Sequence, residues 1–226
     1  MHDECLSLAP TVARALQVLK SITDDFELLI VDDGSSDGSE RLAQDLAAGE
    51  PRLRVVRHER NEGYGQALRS GLSASRGDVV AYTDCDEPAD LGLLPETLRR
   101  FDEPRVDMVI GYRKSRGRDG LRRRLYSAGY NVLVRRLFGV TARDVNFSWK
   151  LIRRDALRGM RLGARTGFVD GELLTEAARL GLRVVEVPVE YRPRRYGRSH
   201  FDSPRAAFET LCEIYRYWRR RGRPTS

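Results

Sequence analysis

The sequence predicts a layered α/β fold with a largely parallel sheet. Two observations carry that prediction. Short apolar runs alternate with segments of helical spacing along most of the 226 residues, which is the signature of β-α-β units. Acidic and glycine-rich motifs fall where the apolar runs end, at the edge where such folds bind ligands.

The elements follow in order. Phe26–Val31 is an apolar run that stops at Asp32, Asp33 and Gly34. The segment from Asp37 to Ala48 reads as a helix, with Leu42 and Leu46 four residues apart. Leu53–Val56 is a short strand and Gly63–Ala74 a helix. Asp78–Tyr82 is a strand ending in Asp84-Cys85-Asp86. Leu93–Phe101 is helical, Val106–Tyr112 extended, and Leu121–Phe138 a longer helix. Phe147–Ile152 is extended, Gly171–Leu180 helical, and Arg183–Val189 extended. The chain divides into a domain over residues 1–200 and a basic amphipathic helix over 201–226. In that helix Phe208, Leu211, Cys212, Tyr215 and Trp218 recur at helical spacing, and Arg216 and Arg219 to Arg221 crowd the last turn. It either packs on the domain or rests on anionic lipid.

Composition excludes several classes. The chain is 41% hydrophobic, enough for a core, and no apolar run reaches membrane-spanning length. No signal peptide is evident. Three scattered cysteines form neither a disulfide framework nor a zinc site. The expectation is a reduced, soluble, intracellular domain. The net charge of +7 is uneven. Residues 192–226 hold ten arginines and three acids, which accounts for the whole excess. A second cluster, Arg113 to Arg124, has seven basic residues and one acid. Both suggest anionic partners. No helix-turn-helix, zinc finger or aromatic RNA-binding motif appears, so nucleic acid is not expected as a partner.

Each polar motif is weak alone. Asp32 and Asp33 at a strand end can accept hydrogen bonds from a nucleoside, and a plain turn is the alternative. Arg60-Asn61-Glu62-Gly63-Tyr64-Gly65 opens a helix whose amides can approach an anion, and simple capping is the alternative. Asp84 and Asp86 are two apart in an extended segment, so both point to one side. They suit a shared Mg2+ or Mn2+, which prefer oxygen ligands.

As an ordered set, VDDGSSDGS, RNEGYGQALRSG, RGDVVAYTDCD and DMVIGYR resemble family 2 glycosyltransferases of the GT-A fold. Later segments resemble the polyprenyl-phosphate branch, typified by dolichol-phosphate mannosyltransferase. These are RRLYS with Asn131, DVNFSWKL from Asp144, FVDGELL from Phe168, EVPV, and RRYGRSH from Arg194. The resemblance covers about residues 2–200. It implies inverting, metal-dependent transfer from a nucleotide-diphosphate sugar, GDP-mannose or a UDP-hexose, to a polyprenyl phosphate. It also implies a cytoplasmic protein with peripheral contact at the inner membrane face. The alternatives are transfer to a hydroxyl of a glycan or small molecule, and an inactive nucleotide-binding remnant.

The resemblance assigns roles residue by residue. Asp84 and Asp86 would hold the cation against the diphosphate. Glu4, Asp32, Asp33 and Asp78 would contact the donor. Arg113, Arg123, Arg124, Ser127, Arg194, Ser199 and His200 would gather an anionic acceptor, since guanidinium groups bind phosphate at two points. Asp144 matches the position proposed as base or acceptor-aligning group, and Asp170 and Glu172 rank below it. Three departures stand out. His2-Asp3-Glu4 occupies the turn that follows the family's buried first strand, and that strand is absent, as if Met1 were a misassigned start or the chain were trimmed. Pro88 stands where relatives place a further polar contact. His200 replaces a lysine.

Overall fold

A computed structural model describes residues 1–114, 121–192 and 203–221. The chain forms α1 (Cys5–Ile22), β1 (Leu28–Asp32), α2 (Ser39–Gly49), β2 (Leu53–Arg57), α3 (Tyr64–Ala74) and β3 (Val79–Tyr82). Then come α4 (Leu94–Arg99), β4 (Val106–Arg113), α5 (Leu121–Phe138), β5 (Lys150–Arg153), α6 (Arg154–Arg158), α7 (Phe168–Arg179), β6 (Arg183–Val189) and α8 (Pro204–Arg221).

The α/β class is as expected, with a mixed rather than mostly parallel sheet. β1 and β2 pair in parallel. A second sheet runs β3-β5-β4-β6. There β4 and β6 are parallel, while β5 is antiparallel to both β3 and β4. Among the described residues no ladder joins β1 to β3. Met1 lies beside β1: its amino group donates to Val31 O at 2.5 Å, and Asp33 N donates to Met1 O at 2.9 Å.

Strand alternation feeds both faces of the larger sheet. Met108 and Ile110 of β4, with Ile152 of β5, face a core completed by Val134, Phe168, Leu173 and Ile214. Val109 and Leu151 face the opposite core, with Trp149, Phe101 and Val18. Leu8, Val12, Ile30, Ala43 and Leu53 form a third cluster around the two-stranded sheet.

α1 is an element that the sequence reading passed over. Leu8, Val12, Ala15 and Val18 recur three or four apart and are its buried face, so the periodicity was there to find. α8 packs on the domain through Ile214, only 2% exposed, and Tyr217, whose ring meets Phe138 and Phe168 edge-on at 5.4 and 5.2 Å. An adjoining face leaves Phe208, Leu211 and Tyr215 exposed.

Candidate active site

The carboxyl ends of β1 and β3 carry the acidic motifs. Asp32 is fully buried. Its Oδ1 accepts from the Ser35 hydroxyl at 2.5 Å, while Oδ2 is enclosed with no protein donor. An enclosed carboxylate oxygen without a donor is costly, and a ligand hydroxyl or base would relieve that cost. Asp33 turns the other way. It accepts from the amides of Glu62 and Gly63, both at 2.9 Å, and meets His58 Nδ1 at 2.7 Å. His58 Nε2 lies 2.8 Å from the Ser70 hydroxyl. Asp33 thus fixes the 60–63 turn onto β1. Gly63 sits at φ +96°, a conformation that favours glycine, and a Cβ there would meet Arg165 O at 2.7 Å.

Asp84 and Asp86 lie just past β3. Asp84 is half-buried, and that enclosure, followed by the charge of Asp86, pushes its carboxyl up to about 6. The Ser148 hydroxyl donates to Asp84 Oδ2 at 2.7 Å and opposes the shift. Tyr64 is within hydrogen-bonding reach of Asp84, and burial, then the charges of Asp170 and Asp84, push its phenol well above the usual range.

Beneath this pair lies Lys150, completely buried. Its Nζ donates to Asp170 Oδ1 at 2.5 Å and to Phe147 O at 2.6 Å. The Tyr82 hydroxyl donates to the same Asp170 oxygen at 2.7 Å. Asp170 is therefore engaged with Lys150 and Tyr82 at the first turn of α7. Lys150, Tyr82, Ser148 and His58 were not singled out from sequence. An extended Lys in an otherwise apolar strand was the available signal for Lys150, because a buried ammonium demands a carboxylate partner.

The end of β4 holds a second centre. Arg113 Nε donates to Asp144 Oδ2 at 2.7 Å and Nη2 to Oδ1 at 3.0 Å. Arg113 Nη2 also reaches the Ser127 hydroxyl at 3.4 Å. Asn131 ties the two segments together: its amide donates to Ser127 O, and Val145 N donates to its Oδ1, both at 2.8 Å.

The structure therefore brings Arg113, Ser127 and Asp144 together, and Asp32, Asp33, Asp84 and Asp86 to neighbouring strand ends. Glu4 stands immediately before α1, with its amide bonded to the Ser39 hydroxyl at 3.0 Å. Asp78 is exposed at the opposite end of β3 from Asp84, so it does not join the group. Arg124 is exposed near the start of α5. Arg194, Ser199 and His200 lie outside the described residues, as does the side chain of Arg123.

Asp84 and Asp86 fit a hard divalent cation. Both donors are carboxylates, and their mutual repulsion is what a cation would neutralise. Among the described residues no group of three or more His, Cys, Asp or Glu could hold a metal.

Residues 1–161 match the sequence family described as glycosyl transferase family 2. Glycosyltransferase AglD of Haloferax volcanii is 31% identical over 224 residues, covering 96% of this chain. The chain spans 36% of that relative's length. A dolichyl-phosphate hexose transferase of the same organism is 30% identical, over 81% of this chain and 78% of its own. Among solved structures, glucosyl-3-phosphoglycerate synthase from Mycobacterium tuberculosis, in complex with Mn2+, UDP-glucose and phosphoglyceric acid, superposes with a TM-score of 0.73. It is 22% identical and covers 96% of this chain and 77% of its own.

That likeness shows the GT-A fold and corrects one expectation. A structure of this fold is seen with a small phosphorylated acid, not a polyprenyl phosphate. Among the described residues no helix is long and apolar enough to cross a membrane. It is the likeness to that small-acceptor structure, not the lack of a spanning helix, that sets aside the lipid acceptor and the peripheral membrane contact. The physical reason is that arginines attract a phosphate without reading what it is attached to. The charge clusters that suggested a lipid suit a small anion equally well.

Proposed function

The chain belongs to glycosyl transferase family 2, and on that premise we propose that it transfers a sugar from a nucleotide-diphosphate sugar to a hydroxyl of a small acceptor that carries negative charge. The observation that carries this reading is the presence of Asp84 and Asp86 at the end of β3 together with the donor-less Oδ2 of Asp32 at the end of β1. One site asks for a cation and the other for a hydrogen-bond donor, and a nucleotide diphosphate bound with a metal offers both.

In this reading Asp32 receives a donor group of the nucleoside, and Asp33 shapes the turn that borders it. Asp84 and Asp86 hold Mg2+ or Mn2+, as the Mn2+ bound with UDP-glucose in the solved likeness supports. A divalent cation bound there neutralises charge on the diphosphate leaving group. Arg113 supplies positive charge for the acceptor's anionic group. Asp144 acts as an aligning group, because both its oxygens already engage the Arg113 guanidinium.

Thermal shift with UDP-glucose and GDP-mannose, each with and without Mn2+, tests the reading. A ligand that binds the native state raises the melting temperature. Stabilisation that needs both nucleotide sugar and metal, and that Asp84→Asn and Asp86→Ala abolish, is the expected result. Stabilisation by neither nucleotide sugar would sink the proposal.

A further inference from the structure

The segment between α6 and α7 is bound along its length by carboxylates. Arg161 N donates to Glu176 at 3.0 Å. Gly163 N and Ala164 N both donate to Glu172 Oε2 at 2.8 Å. The next two amides go to the C-terminal helix: Arg165 N and Thr166 N donate to the two oxygens of Glu213 at 2.8 and 2.9 Å, and the Thr166 hydroxyl donates at 2.6 Å. Four consecutive backbone amides are thus held by two side chains.

The carbonyls of the same segment point at the N-terminus of α3. Gly65 N donates to Arg165 O at 2.9 Å, and Arg69 donates to Ala164 O. A Cβ at Gly65 would collide with Ala164 O, so backbone rests directly on backbone. The turn so supported contains Glu62 and Gly63, whose amides bind Asp33, and Tyr64, which reaches Asp84. A continuous path of short polar contacts therefore runs from α8 to both acidic motifs.

We propose that Glu213 is a positioning residue for the nucleotide and cation site, acting through residues 163–167 on the 62–65 turn. α8 is then a working part of the site rather than an appendage carrying charge. Glu213 touches no reacting atom; it sets where the turn stands. Backbone amides need an acceptor, and without Glu213 the amides of Arg165 and Thr166 turn to water. The segment then loses the fixed position from which it supports Gly65.

The inference rests on the proposed nucleotide-sugar reading, and the experiment separates the two. UDP affinity in the presence of Mn2+ is measured by calorimetry for the wild type, Glu213→Gln, Glu213→Ala and Thr166→Val, alongside the melting temperature of each without ligand. Glu209→Gln, a change on the exposed side of α8, controls for helix stability. Failure of the wild type to bind UDP, and GDP tried in its place, refutes the nucleotide reading itself; where GDP binds instead, it replaces UDP in every comparison. If the wild type binds, Glu213→Ala is expected to lose about tenfold in affinity, within the range that residues without ligand contact impose on distant sites. Glu213→Gln and Thr166→Val should lose less, and Glu209→Gln nothing. In turnover assays the change should appear in the donor KM and leave kcat largely intact. Folded Glu213 variants with wild-type UDP affinity would overturn the proposal and leave Glu213 a purely structural residue. Should Glu213→Ala not fold, the same comparison is read from Glu213→Gln and Thr166→Val.

Discussion

Arg113 and Asp144 face each other through two hydrogen bonds, at 2.7 and 3.0 Å, with 7% and 2% of their side chains exposed. The pair joins the end of β4 to the loop before β5. Its members are 31 residues apart in sequence, and each was read separately as a candidate for the acceptor.

Burial makes this pair expensive to break. Asp144→Asn takes a two-point charge partner from an enclosed guanidinium, and loss of one partner of a buried pair costs about 3–5 kcal/mol. Urea unfolding should show that loss. Combining Arg113→Met with Asp144→Leu should recover much of it, because the pair as a whole need not be net stabilising. A single Asp144→Asn variant as stable as wild type would contradict the two-point geometry.

The Asp84 carboxyl, raised from 3.8 to about 6, sets a pH dependence. Between those values the folded chain holds a proton that the unfolded chain has released. Without metal, this group's contribution to stability is therefore present at low pH and lost as pH rises through about 6. Cation binding has the opposite sign, since only the carboxylate ligates. Mn2+ affinity should climb through the same interval, and calorimetry from pH 5 to 7.5 checks it. Asp84→Asn should flatten the profile.

Ser148→Ala removes the hydroxyl that favours ionised Asp84. The rise in Mn2+ affinity should then shift to higher pH. Near neutrality, affinity should fall by about tenfold, the lower end of what partners of metal ligands contribute. Binding identical to wild type would show that Asp84 is oriented by other contacts.

Gly65→Ala probes the backbone contact between α3 and Ala164. The neighbouring atom is a carbonyl held in place by Arg69, not a flexible side-chain end. Forced displacement of packed groups costs about 1–3 kcal/mol. A drop in melting temperature together with weaker UDP binding is expected, whereas Gly49→Ala, with nothing near its Cβ, should be neutral.

The local features were legible from sequence. β1, β2, β3 and β4 fall where apolar runs end in polar motifs, and α5 begins at Leu121 and ends at Phe138 as its pattern indicates. The spacing of Asp84 and Asp86 and their place after a strand were equally readable. What was hidden depends on contacts between distant segments. Nothing in the neighbourhood of Lys150 announces Asp170, and nothing near Glu213 announces Thr166, 47 residues away. The direction of β5 was hidden for the same reason. An apolar run looks the same in either orientation, and here it is pairing with β3 and β4 that decides. The charge in the C-terminal segment concealed a further point. Among many arginines, the acid Glu213 joins Ile214 and Tyr217 in holding the helix on the domain.

The division between the two sheets has a mechanical consequence. Ladder hydrogen bonds resist shear, whereas packed side chains slide and reopen at lower cost. With no described ladder from β1 to β3, the segment bearing Asp32 and Asp33 and the segment bearing Asp84 and Asp86 are coupled through α1, through Leu72 of α3 packed in one core with Val80, and through the contact of α3 with residues 164 and 165. Amide exchange in the native state should resolve them as two units that open independently. A molecule engaging the aspartates of both would stitch the units together, so that exchange in each slows to a common rate.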